Sequence, residues 1–211
     1  VAGWGQEFQP YFVKDSLISV PKFHQLNEIK IDDRARGGRS TRTFFQEGRW
    51  RLVYDSLQNG DWVLMQFGHN DGSEKHTERF VPIEGYKEFL RLFVTQTRQK
   101  GAHPVILTPV ARNYPWENGK LQNVHGEYPK AAIEVATELN VPFINLNEIS
   151  MEFFSKKGKD FVSEKYFMNL PKEKFEAYPD GQEDNTHFQI EGAKVVAGLV
   201  FNELKKIINS N

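Results

Sequence analysis

Near one end of the chain, "GQEDNTHFQIEGAKVVAGL" places Asp184 and His187 three residues apart, just ahead of an apolar stretch with helical patterning. A neutral imidazole oriented by a carboxylate is suited to take a proton from a hydroxyl, because one ring nitrogen is held by the carboxylate while the other keeps its lone pair. "GHND" supplies His69, Asn70 and Asp71, and "DDRARGGRSTRTF" carries the paired glycines Gly37 and Gly38, which allow a tight turn with backbone N–H groups turned outward. A longer loop over 109–125 carries Arg112, Trp116 and His125. Each has an ordinary reading. The glycines are often only a turn, Asn70 is able to cap a helix, and Asp184 is able to cap the last helix with His187 on its approach. Those readings explain any one of the motifs but not their joint order. A metal hydrolase built from His69, Asp71, Asp184 and His187 ranks lower, since no His-x-Glu-x-His-like spacing supports it.

These groups need a frame, and the hydrophobic pattern predicts one. Compact apolar runs at 61–67, 103–110 and 141–146 read as strands buried on both faces, with a weaker fourth at 28–32. Between them, 85–101 places Tyr86, Phe89, Leu90 and Phe93 at helical spacing and stops on Gly101; 128–140 and 190–210 also read as helices. Strands alternating with helices predict an α/β fold with a parallel sheet, and catalytic groups in such folds collect at the carboxyl ends of the strands. The loops just named follow those ends or precede the last helix.

Composition narrows the chemistry. With 211 residues a single domain is expected over 1–211. Basic and acidic residues number 27 and 28, a net charge of −1 that gives no electrostatic footprint for nucleic acid or for an anionic membrane. The absence of cysteine removes disulfides, thiolate metal sites and cysteine nucleophiles from these residues. No apolar run approaches the roughly 20 residues that cross a bilayer, and "VAGWGQEF" lacks a basic region followed by an apolar one.

"GGRSTRTF", "FGHND" and "DNTHF" resemble three blocks, in order, of the SGNH (GDSL-type) esterase and lipase superfamily. "VILTPVARN", "HGEYPKAAIEVATELNVPFINLNE" and "YPDGQEDNTHFQIEGAKVVAGLV" are similar to its rhamnogalacturonan acetylesterase branch, so the resemblance runs over nearly the whole chain. It implies a three-layer α/β/α, flavodoxin-like fold. It also implies His187 as general base, Asp184 as its orienting partner, and Gly38 N–H with the Asn70 side chain as oxyanion-hole donors. Arg112, Trp116 and His125 become candidates for sugar contacts, with ordinary loop residues as the competing reading. The expected substrate is an acetylated plant cell-wall polysaccharide, rhamnogalacturonan first, met by a secreted or periplasmic enzyme. No cofactor and no metal are expected.

One block of the family pattern does not occur: no Gly-Asp-Ser stands in these residues. "GWGQEF" resembles the segment shortly after that block, so the nucleophilic serine and the first, central strand are expected upstream of Val1. Ser16 follows no strand-forming run, and Ser40 lies in the second block, so neither is taken as a replacement. The alternative is a carbohydrate-binding SGNH-like domain without a nucleophile, with Tyr114 and Trp116 stacking on sugar rings. Against it stands the retention of the base and both oxyanion donors, which binding alone does not require.

Overall fold

The computed structural model describes residues 1–210. The chain forms α1 (Lys14–Leu17), α2 (Thr41–Gln46), α3 (Arg49–Ser56), β1 (Trp62–Gln66), α4 (Ile83–Gln99), β2 (His103–Leu107), β3 (Trp116–Glu117) and β4 (Lys120–Leu121). α5 (Tyr128–Glu138), β5 (Phe143–Ile144), α6 (Leu146–Lys157), α7 (Lys159–Lys165) and α8 (Ile190–Ser210) complete it. Its contacts divide into two compact units, one of residues 34–109 and 125–147, the other of 1–33, 110–124 and 148 onward.

The first unit holds a parallel sheet in the order β1-β2-β5, as an α/β chain with alternating strands and helices should. β2 is buried on both faces from Pro104 to Leu107, whereas β1 buries Val63 and Met65 alternately and half-covers the residues between them. β5 is short because Pro142 has no N–H and Leu146 already begins α6; Ile106 donates to the Pro142 carbonyl and Thr108 to that of Ile144. Val63, Met65 and Ile106 pack with Tyr86, Leu90, Phe93 and Val94 of α4 and with Ala132, Val135 and Ala136 of α5. Fully burying each large aliphatic side chain there contributes roughly 1.5–3 kcal/mol. α4 ends as its sequence predicts. Gly101 takes a left-handed φ of +70°, while its N–H bonds the Arg98 carbonyl and Ala102 N–H reaches back to that of Thr97.

The expected strand at 28–32 does not form. Glu28 makes only an isolated bridge to Val13, and Ile29 N–H bonds the Phe12 carbonyl. Alternating Ile29 and Ile31 suit a strand, but a strand exists through its ladder, and no described strand pairs with this segment.

Two anchor points bear on the candidate site. In the first unit Asp71 is completely buried and accepts hydrogen bonds from Thr41 N (2.9 Å), Thr41 Oγ1 (2.6 Å) and Gly68 N (3.0 Å). It thereby ties the start of α2 to the turn after β1. In the second unit the segment 166–170 lies beside 182–189: Met168 N–H bonds the His187 carbonyl, Gln189 N–H bonds that of Tyr166, and Leu170 and Gln182 exchange both backbone bonds. Gly192, in the first turn of α8, permits this approach, because a Cβ there would collide with the Tyr166 carbonyl.

Gly192→Ala is therefore expected to destabilise the protein by about 1–3 kcal/mol through overpacking, read as a lower urea midpoint. Asp71→Ala strands three buried donors, each costing about 1–3 kcal/mol. Its urea midpoint should fall below that of Gly192→Ala, and an unchanged midpoint would refute the tie.

Candidate active site

Asp184 and His187 meet in the second unit. His187 Nδ1 lies 2.7 Å from Asp184 Oδ2, with side-chain exposures of 53% for the histidine and 19% for the aspartate. Next to a carboxylate Nδ1 carries the proton, leaving Nε2 with its lone pair. The other carboxylate oxygen, Oδ1, accepts from Thr186 N (2.8 Å) and His187 N (3.0 Å), so the aspartate folds its own loop into a turn. These bonds answer the capping reading: Asp184 bonds residues of its own loop, and α8 begins only at Ile190. Burial pushes the Asp184 carboxyl upward, but the His187 and Thr186 N–H groups, joined by the His187 ring, outweigh it and hold it below the ordinary carboxylate range. The stabilisation linked to this ionised carboxylate is complete above that range and is lost as pH falls through its lowered value.

Gly38 and Asn70 come together in the first unit. Gly38 is exposed in a left-handed conformation, φ +77°, which a residue with a side chain rarely adopts. Arg39 pins the turn, its guanidinium bonding Glu47 at 3.0 Å and the Gly37 carbonyl at 3.0 Å. Asn70 Nδ2 donates one hydrogen to the Arg39 carbonyl at 3.1 Å; the amide has a second. Asp71, read from sequence as a rim group beside Asn70, instead lies beneath both loops. Burial pushes its carboxyl up, against the lowering effect of the Thr41 and Gly68 hydrogen bonds. Ser40 is the N-cap of α2, its Oγ accepting from Thr43 N, and Ser16 Oγ donates to the Pro10 carbonyl. Each hydroxyl has a structural task.

The remaining candidates separate. His125 is buried, 6% exposed, and packs edge to face on His69 with ring centroids 4.5 Å apart in the first unit. Arg112 and Trp116 belong to the second. Arg112 donates to the Tyr114 hydroxyl at 2.8 Å. Trp116 opens a two-stranded hairpin whose turn is Asn118–Gly119, both at positive φ, with Trp116 paired to Leu121. Two adjacent left-handed residues are the signature of the tight hairpin turn that Asn-Gly favours, so this element was legible where a loop was read. Trp116 Nε1 lies 3.1 Å from both the carbonyl and the side-chain oxygen of Asn113.

Sequence reasoning missed three amides. Asn113, Asn169 and Asn185 link to one another and to the Asp184 backbone. Their one signal is polarity inside apolar surroundings, as in "VARN" and "FMNL". Among the described residues, no three His, Asp or Glu side chains are grouped as metal ligands, and no helix is long and apolar enough to cross a membrane.

Comparison with known proteins extends this geometry. The GDSL-like lipase/acylhydrolase family profile matches residues 2–195. Bacillus subtilis rhamnogalacturonan acetylesterase RhgT is 37% identical over 207 residues, 98% of this chain and 82% of RhgT. The probable rhamnogalacturonan acetylesterase YesY of the same organism is 39% identical over 185 residues, 87% of this chain and 80% of YesY. Among solved structures, the crystal structure of B. subtilis YxiM superposes with a TM-score of 0.77 at 26% identity, covering 98% of this chain and 50% of that one. The fold is that of the SGNH hydrolases, and the chain belongs to the GDSL-like lipase/acylhydrolase family.

Proposed function

We propose that this chain is the body of a carbohydrate acetylesterase that removes acetyl groups from a plant cell-wall polysaccharide, with rhamnogalacturonan as the polymer. The observation that carries the reading is the 2.7 Å contact between His187 Nδ1 and Asp184 Oδ2 on an exposed histidine, the geometry of a general base. The two relatives named as rhamnogalacturonan acetylesterases support the substrate class.

In this mechanism His187 Nε2 accepts the proton of a serine hydroxyl, that of the family's Gly-Asp-Ser block, as the serine oxygen attacks the acetyl carbonyl. Negative charge builds on the carbonyl oxygen and is stabilised by neutral N–H donors, the role that the family pattern gives to Gly38 N–H and the Asn70 side-chain amide. Both are neutral donors and do not compete for the proton that His187 carries. Collapse breaks the bond to the sugar oxygen, which takes the proton back from His187. Water, deprotonated by the same nitrogen, then attacks the acyl-serine and releases acetate. Asp184 stays ionised throughout, holding the ring tautomer and stabilising the imidazolium. Arg112 and Trp116 contribute to sugar contact from the hairpin loop. His125, a sugar-contact candidate from the sequence, is 6% exposed and packs on His69, so no sugar contact is assigned to it. The polymer's place outside cells makes the enzyme secreted or periplasmic.

The reading is tested by assaying acetate release from acetylated rhamnogalacturonan by the full-length protein. Asn70→Ala should lower turnover by about 100- to 1,000-fold, the usual cost of one oxyanion donor. His187→Ala should lower it at least as far while leaving the urea midpoint nearly unchanged, since the side chain is exposed. A protein that releases no acetate, or a His187→Ala variant as active as wild type, would end the proposal.

A further inference from the structure

The loop that carries the dyad is held largely by amides. Asn169 uses both ends of its side chain: Oδ1 accepts the Asp184 N–H at 3.0 Å, while Nδ2 donates to Asn185 Oδ1 at 2.9 Å and lies 3.0 Å from Ser163 Oγ. Asn185, between Asp184 and His187, accepts a second bond on Oδ1 from Asn113 Nδ2 at 2.8 Å, and its carbonyl accepts the Asn113 N–H, also at 2.8 Å. Asn113 is 3% exposed and turns its own oxygens to the Trp116 indole.

We infer that Asn169 is a positioning residue for the general base, acting through Asp184, and that Asn185 and Asn113 extend its hold to the Trp116 hairpin. The inference rests on the reading of His187 as base. Its physical content is the pattern of donors and acceptors. The position needs one acceptor for Asp184 N–H and one donor for Asn185 Oδ1, 2.9 Å away, which an amide supplies and a carboxylate does not. Asn169→Asp keeps the volume but sets oxygen against oxygen and adds a charge beside the Asp184 loop. The carboxylate still offers Asp184 N–H an acceptor, but repulsion from Asn185 Oδ1 turns it out of place, and the Asp184 loop shifts with it, carrying the carboxylate that fixes the His187 ring. A misplacement on the order of 1 Å costs about 100-fold in rate. A merely structural asparagine would weaken the fold without changing which ring nitrogen of His187 is protonated.

The experiment compares full-length wild type, Asn169→Asp and Asn169→Ala. It reads kcat and KM on a small acetyl ester, the urea midpoint, and the ring-nitrogen chemical shifts of His187, which report where its proton sits. The expected result is a fall of about 100-fold in kcat with KM nearly unchanged, together with loss of the Nδ1-protonated signature in Asn169→Asp. Should Asn169→Ala not fold, the isosteric Asn169→Asp decides alone. Wild-type kcat in a folded Asn169→Asp, or a fall in midpoint with the Nδ1 signature intact, would overturn the inference. If wild type hydrolyses no ester, the esterase reading fails separately. The nitrogen shifts then still decide: an intact signature in Asn169→Asp overturns the positioning role, and a lost one supports it.

Discussion

A carboxylate taken out of water must keep its hydrogen-bond donors or lose its charge, and that constraint shapes both loops of interest. Asp71 is buried completely, so Thr41 and Gly68 have to stay in place around it; the glycine turn and the start of α2 inherit their positions from that demand. Asp184 meets the same demand with Thr186 and His187, but at 19% exposure beside a ring that is 53% exposed. Degree of burial divides the labour between two chemically identical groups. The enclosed one organises backbone, and the partly enclosed one keeps as its partner an imidazole open to solvent.

Local pattern carried much of the fold into view. The helices at 83–99, 128–138 and 190–210 were legible because their apolar faces repeat at helical spacing, and Gly101 marked an end that its left-handed conformation explains. β1 and β2 were legible as short apolar runs. Residues 28–32 were misread for a reason of the same kind: alternation describes a candidate for pairing, whereas a strand depends on what lies beside it.

The site divides along a similar line. Asp184 and His187 are three residues apart, so their contact is nearly local and the motif discloses it. Asn113, Asn169 and Asn185 are brought together from distant parts of the chain, and nothing in the pattern of any one segment announces the meeting. Asp71 and His125 were read as accessible because loops usually are; the packing of Thr41 on one and His69 on the other buries them.

The exchanged bonds between Leu170 and Gln182 close residues 171–181 at their base, on the side next to Asp184. Main-chain bonds are indifferent to the side chains of the loop they close, and doubling the length of such a loop adds only about 0.6 kcal/mol of closure entropy. Segment 171–181 is thus a natural place for insertion and divergence. Related enzymes could acquire new surfaces there, and an engineer could graft one, while the Asp184–His187 pair beyond the clasp keeps its address.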